Sequence, residues 1–333
     1  MEQENLIQVQ LFDRIREQLP KHVSLVDEVA DILKISTDSA YRRIRGEKTI
    51  SLDEIQKLAS VFDLSLDDLT GNKRTLTFET FLLNEEENSF RQWFEIILKI
   101  TNQIVSHKGA EAIFILNELN IFHLFQFPEL LAFKLFFWQK SSLGFIPFKE
   151  AKFTINMFNH QYNGIAERIT ENYIKINSIE FTTEENLNSF LKQVQYYYDS
   201  GYFESRDDAL IICEKLHDLV NHQQRQAELG YKFLPEKETN DIRGNFQLYY
   251  NDIILTDNTV IIKTGNSGYT FMTTNAINLL QTHNRMFYHY NYNWGMNLIV
   301  KSLLISGTAE KFRYSFFRKL HEQINCLEKK ISG

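Results

Sequence analysis

The chain has 333 residues and a net charge of −7, with 43% hydrophobic and 24% charged residues. These shares exclude a low-hydrophobicity disordered chain, and the length accommodates two folded units, each with its own core. Four prolines and thirteen glycines leave long stretches free to propagate helix, so the expected fold class is mostly α with a smaller antiparallel β component. Cys213 and Cys326 have no second cysteine or histidine at metal-ligand spacing, which fits a reduced cytoplasm and no metal site. The start MEQENLIQ lacks a basic-then-apolar signal pattern. The most apolar stretch, residues 121–138, is interrupted by His123, Gln126, Glu129 and Lys134, so no membrane anchor is expected.

In chain order, the first 71 residues predict five short helices. Phe12, Ile15 and Leu19 give the first an apolar stripe that Pro20 ends. Ser24 caps a second, with Leu25, Val26, Val29, Ala30 and Leu33 on its inner face. Ser36 caps a third, which runs to about Arg45 and closes on Gly46. Ser51 and Glu54 form a capping box for a fourth, with Leu52, Ile55, Leu58, Ala59 and Phe62 at helical spacing. Ser65 and Asp68 open a short fifth that carries Leu66 and Leu69. Residues 72–88, which begin just after Gly71, read as a linker.

Residues 1–71 hold nine Lys and Arg against fourteen Asp and Glu, so the acidic balance weighs against nucleic-acid binding. Residues 42–48 depart from it, with Arg42, Arg43, Arg45 and Lys48 against Glu47 alone. Ala30 sits where two helices cross closely, and Leu33 and Ile35 flank the turn. Ala40 and Ile44 face inward from the third helix, leaving Thr37, Asp38, Tyr41, Arg42 and Arg45 outward.

This pattern resembles the Cro/repressor (XRE-type) helix-turn-helix, including its five-helix frame and the Arg-Gly that ends the recognition helix. The resemblance covers about the first 71 residues. It departs at Lys34, where the family often has a turn glycine, and at Arg43, where an apolar residue is common. It implies that the start of the third helix faces base edges in the major groove of double-stranded DNA. Ser36, Thr37, Asp38, Tyr41, Arg42, Arg43, Arg45 and Lys48 are then the candidate DNA-binding residues. Arg42 is the expected guanine reader, Asp38 a cytosine acceptor, and Arg43, Arg45 and Lys48 phosphate contacts. Ser36 is read as a cap before a reader.

Residues 89–333 predict a larger α+β unit. Helices are expected over 89–106, 128–139, 184–198, 206–229 and 309–331, and a strand over 112–116. Strands over 247–255, 260–264 and 269–273 are expected to form an antiparallel meander. Tyr249, Tyr250, Tyr269 and Phe271 are candidate walls of a ligand pocket, with Tyr269 and Phe271 on one face and Thr270 opposite. Phe312, Phe316, Leu320, Ile324, Leu327 and Ile331 form an apolar stripe that either pairs helices across a two-fold or packs on the unit's own core.

Catalytic signals are weak. Glu214 and His217 have Glu-x-x-His spacing without the second pair a di-iron bundle needs. His283 and His289 lie in a strand-like or loop segment, and no phosphate loop, nucleophile elbow or zinc motif occurs. The expectation is a one-component transcriptional regulator, not an enzyme, without cofactor. It would bind a pseudo-palindromic operator as a homodimer and sense a small molecule. An enzyme or defence effector targeted by a helix-turn-helix, and a ligand-free interaction scaffold, are the alternatives. A buried polar cluster in a cleft would favour the enzyme, an apolar pocket the sensor and a solid core the scaffold.

Overall fold

The computed structural model describes residues 6–20, 23–62, 64, 76–84, 89–158, 161–235, 244–252, 258–265 and 267–333. The chain divides into two compact units, Met1–Leu76 and Thr77–Gly333.

The small unit contains α1 (Leu6–Gln18), α2 (Leu25–Leu33), α3 (Thr37–Ile44) and α4 (Leu52–Phe62). Each apolar stripe supplies one wall of its core. Leu11, Phe12 and Ile15 come from α1, Val29, Ala30 and Leu33 from α2, Ala40 from α3 and Leu58 from α4. The expected caps form: the Ser24 and Ser36 hydroxyls accept from the Asp27 and Ser39 amides. Ser51 and Glu54 satisfy each other's amides at 3.2 and 3.0 Å. The expected fifth helix at Ser65 to Leu69 and the Gly71–Arg74 segment lie outside the described residues.

Among the described residues the large unit is built on a mixed sheet of eight strands: β1 (Glu79–Phe81), β2 (Glu111–Ile115), β3 (Asn177–Thr182), β4 (Phe246–Tyr250), β5 (Thr259–Thr264), β6 (Ser267–Thr274), β7 (Asn278–Thr282) and β8 (Leu303–Leu304). Their order is β1-β7-β6-β5-β2-β3-β4-β8. Most pairs are antiparallel, while β2–β3 and β3–β4 are parallel. The helices are α5 (Ser89–Ser106), α6 (Ile121–Leu124), α7 (Pro128–Phe137), α8 (Asn163–Tyr173), α9 (Glu184–Asp199), α10 (Arg206–Leu229), α11 (Arg285–Lys301) and α12 (Glu310–Ser332).

Alternation along β2 and β5 explains the layering. Ala112, Phe114 and Ile262 point to one face, where they join Ile104 of α5 and Tyr173 of α8. Ile113, Ile115 and Ile261 point to the other, which Tyr288, Tyr292 and Leu298 of α11 cover. Phe133, Phe136, Leu216 and Leu320 belong to a third cluster, formed by α7, α9, α10 and α12.

Three expectations are corrected here, and one open alternative is resolved. The meander is β5-β6-β7, whereas β4 lies beside β3 on the far side of β2. A parallel neighbour needs a long crossover, and α9 with α10 supply it, so proximity in sequence misled the pairing of β4 with β5. Within the expected linker, Glu79–Phe81 pairs with β7. His289 lies in the helix α11 rather than in a strand or loop. The α12 stripe packs on the unit's own core: Phe316, Leu320, Ile324, Leu327 and Ile331 are buried, while Phe312 is exposed. No helix among the described residues is long and apolar enough to cross a membrane.

Candidate functional site

The turn between α2 and α3 is made by Lys34, which adopts the left-handed conformation at φ 54° and ψ 49°. The Ile35 amide then reaches back to the Ala30 carbonyl at 3.0 Å, closing α2 as a Schellman-type cap. The departure from the family glycine is therefore one of residue type, not of turn geometry.

This turn aims α3 so that Ala40 is buried while Thr37, Asp38, Tyr41, Arg42 and Arg45 are exposed along one side, with Lys48 exposed just beyond. Positions four apart stack along this surface, so Asp38 lies beside Arg42 and Tyr41 beside Arg45. The Arg45 guanidinium stands 5.5 Å from the centre of the Tyr41 ring. Glu47 approaches Arg42 at 3.9 Å and Arg45 at 3.5 Å. Such exposed pairs contribute little and yield to a phosphate. Ser36 acts as the α3 cap, as expected.

Arg43 is corrected from a phosphate contact to a buried clasp. Its Nε and Nη2 donate to the two Glu54 carboxylate oxygens at 3.1 and 2.7 Å, and its Nη1 donates to Ser39 Oγ at 2.6 Å. Ile44 also packs on the core, so the inward side of α3 is completed by both residues. Burial raises the Glu54 pKa, but the Arg43 hydrogen bonds and charge and the Ser51 amide outweigh it, leaving the carboxyl below its usual range. One residue missed in the sequence completes the frame. Buried Gln8 donates to the Arg43 and Lys48 carbonyls at 2.6 and 2.8 Å and accepts from the Ile50 amide at 3.1 Å. A polar residue inside the α1 apolar stripe was the available signal.

In the large unit the four candidate pocket residues do not share a wall. Tyr269 and Phe271 do meet on one face of β6, 5.4 Å apart, with Thr270 opposite and buried. Tyr249 packs on Phe181 and Tyr250 on Phe316, and three strands separate β4 from β6. Of the four, Phe271 alone lines a cavity of about 140 Å³ between α5 and the sheet. Trp93 and Ile97 of α5, Phe114 of β2, Val260 of β5 and Trp138 wall it. At its edge the buried Lys134 ammonium is paired with Glu118 and donates to Gln193 Oε1 at 3.0 Å. Burial lowers the Lys134 pKa against the opposing pull of Glu118.

Behind this wall lies a polar network that sequence reasoning did not assemble. Glu180 of β3 accepts from His123 Nε2 at 3.0 Å, from Asn120 Nδ2 and Ser178 Oγ at 3.1 Å each, and from the Tyr173 hydroxyl. Lys232 donates to Ser178 Oγ at 3.0 Å and stands 4.0 Å from the centre of the Tyr173 ring. Burial raises the Glu180 pKa, yet His123, Lys232 and Tyr173 reverse this and hold it at about 2. Burial pushes Lys232 down to about 7 despite Glu180. Asn120 and Tyr173 both touch this network and line the cavity.

The remaining candidates have structural partners. His217 stacks on His321 at 4.9 Å, and Glu214 pairs with Lys215. Among the described residues no group of three or more His, Cys, Asp or Glu is arranged to hold a metal ion.

No curated protein and no solved structure matches the chain. A family model does: residues 7–78, which span α1 to α4, match the BetR domain, a small helix-turn-helix-like DNA-binding family.

Proposed function

We propose that the protein is a one-component transcriptional regulator whose α3 reads DNA in the manner of the XRE-type helix-turn-helix proteins. The observation that carries this is the division of α3. Arg43 and Ala40 turn inward to fix the helix, and Thr37, Asp38, Tyr41, Arg42 and Arg45 stand together on its free side. Arg42 reads guanine through two hydrogen bonds, Asp38 accepts from cytosine, and Arg45 and Lys48 hold phosphates. The BetR-domain match over the same residues is compatible with this role.

A single short recognition helix specifies few bases, so the protein acts as a homodimer on a pseudo-palindromic operator with half-sites about one helical turn apart. The large unit senses a small uncharged effector in its apolar cavity and shifts DNA affinity by binding one dimer arrangement better than the other. The cavity favours sensing over a ligand-free scaffold. The Glu180 network supports the second reading, an enzyme targeted by its helix-turn-helix. In the sensor reading the network fixes the cavity floor, and turnover of a cavity ligand would favour the enzyme.

The test is operator selection from random DNA followed by fluorescence anisotropy. Arg42→Ala is expected to cost about 1 to 3 kcal/mol and to relax preference at one base pair. Lys48→Ala is expected to weaken all sequences alike and to flatten the salt dependence by about one unit of slope. Unchanged binding by Arg42→Ala overturns the reading of α3, and a monomer in light scattering with and without operator overturns the dimer.

A further inference from the structure

Two of the residues around the cavity between α5 and the sheet carry hydrogen-bond donors without acceptors. Trp93 and Trp138 are only 3% and 5% exposed, their rings lie 6.0 Å apart, and both line the cavity. Neither indole Nε1 has a hydrogen-bond partner among the described residues. An indole N–H only donates, so it is satisfied by an acceptor brought to it and by nothing else. Buried tryptophans ordinarily bury the ring and place the N–H on a partner. Both nitrogens are shielded from water, so an acceptor in the cavity reaches them only as the neighbouring side chains give way, and the two orphan donors beside one cavity are the polar groups an occupant would satisfy.

Charge narrows the occupant further. The cation in the wall, Lys134, is already neutralised by Glu118. The other nearby charges, Glu180 and Lys232, belong to the network behind Tyr173 and Asn120. A carboxylate or phosphate entering the cavity would bring an unpaired charge into an apolar space, at a desolvation cost no free cation offsets. Size is consistent with a small occupant, since about 140 Å³ is comparable to a cavity that accepts one benzene-sized ring.

We propose that this cavity binds a small uncharged molecule, about one ring in size, whose carbonyl-type oxygen accepts hydrogen bonds from the indoles of Trp93 and Trp138. Its apolar body packs against Ile97, Phe114, Val260 and Phe271. Small ketones, lactones, esters and amides have this chemistry. The proposal deepens the sensing part of the function above and is independent of how α3 meets DNA.

The chain has three tryptophans, and the third, Trp294 of α11, lies in the cluster on the other face of the sheet. Full-length protein labelled with 15N-tryptophan therefore gives two reporters and one internal reference. Acetophenone, cyclohexanone and γ-valerolactone serve as neutral acceptor probes, ethylbenzene as the probe without an acceptor, and benzoate as the charged probe. At least one neutral probe is expected to move the Trp93 and Trp138 indole resonances and to leave Trp294 in place. Acetophenone is expected to bind about tenfold more tightly than ethylbenzene, the worth of a satisfied buried donor, and more tightly than benzoate.

Trp93→Phe and Trp138→Phe are each expected to reduce acetophenone binding toward that of ethylbenzene. If either variant fails to fold, the comparison of probes on the unaltered chain still decides. Equal binding of ethylbenzene, tighter binding of benzoate, or no resonance shift from any neutral probe at millimolar concentration overturns the proposal. Operator affinity is measured separately. Resonance shifts with unchanged operator affinity keep the site and remove its sensing role, whereas loss of specific DNA binding leaves the site standing and overturns the reading of α3.

Discussion

The two units keep their polar chemistry in opposite places. In the small unit the groups suited to a partner, Thr37, Asp38, Tyr41, Arg42 and Arg45, stand in water on one side of a helix, and the largely buried Arg43–Glu54 pair helps hold that helix in position. In the large unit Glu180, Lys232, His123 and Tyr173 are all within 3% of full burial, and the cavity beside them is mostly apolar. Exposed charges suit a polyanion, which binds through counterion release and readily displaces weak surface pairs. Buried charges act on whatever is enclosed with them and must be balanced internally. The contrast predicts that polar substitutions in the large unit act on stability first, and that those on the outer side of α3 act on binding.

The hardest break of this comparison is at Glu180. Glu180→Gln removes the charge that balances Lys232 and is expected to destabilise the large unit by about 3 to 5 kcal/mol, the usual cost of orphaning one partner of a buried pair. All three tryptophans, Trp93, Trp138 and Trp294, lie in the large unit, so their fluorescence during urea unfolding reads this unit alone. Adding Lys232→Met should restore part of the loss, because the two side chains serve one network. A double variant no more stable than Glu180→Gln would show that the charges do not balance each other.

Acid should separate the units as well. Burial, reinforced by the charge of His123, pushes the His222 pKa down from 6.5 to about 4. A group depressed in the folded state favours folding above its unfolded pKa, and that contribution is lost as protons enter. The large unit should therefore lose roughly 3 kcal/mol as the pH falls from about 6.5 to 4. His321, lowered by burial and by His217, acts in the same direction. Glu180 enters only below its unfolded value of 4.5. His222→Gln should flatten the slope between pH 6.5 and 4.5, and an unchanged slope would remove His222 as its source.

How far the sequence carried follows from the range of each interaction. The caps at Ser24, Ser36 and Ser51 and the stripes of α1 to α4 are legible because every partner lies within four residues. Arg43 was misassigned because its partner, Glu54, lies eleven residues away in the next helix. Tyr249 and Tyr250 were grouped with Tyr269 because the strands are close in sequence, although β5, β2 and β3 lie between them in the sheet. The Glu180 network joins residues 57 apart at His123 and 54 apart at Lys232 through Ser178. Its available signal was one acid inside the otherwise uncharged strand NSIEFT.

Within the small unit, Arg43→Ala tests whether the clasp and the reading surface are separable. Glu54 keeps some contact with water, so the loss is expected at about 2 kcal/mol, below that of a sealed pair. Amide exchange in α3 and α4 measures it. DNA binding by the folded fraction should keep its base preference, unlike that of Arg42→Ala. A specific loss of preference at one base pair would return Arg43 to the interface.

The smallest expected effect concerns the turn that aims α3. Lys34 occupies the left-handed region at φ 54°, where a residue with a Cβ is disfavoured by about 1 to 2 kcal/mol. Glycine removes that penalty but gains about 0.5 to 1 kcal/mol of freedom in the unfolded chain. Lys34 is exposed, and the Ile35 to Ala30 hydrogen bond that closes the turn uses only backbone. Lys34→Gly is therefore expected to stabilise the small unit by about 0.5 to 1 kcal/mol, and Lys34→Ala, which keeps the Cβ, to leave it nearly unchanged. Slower amide exchange across α2 and α3 in the glycine variant alone is the expected signature. If instead both variants lose stability equally, the lysine side chain contributes something the turn geometry does not require. If operator affinity also falls in both, that contribution is a contact with DNA, and the interface extends back across the turn to the end of α2.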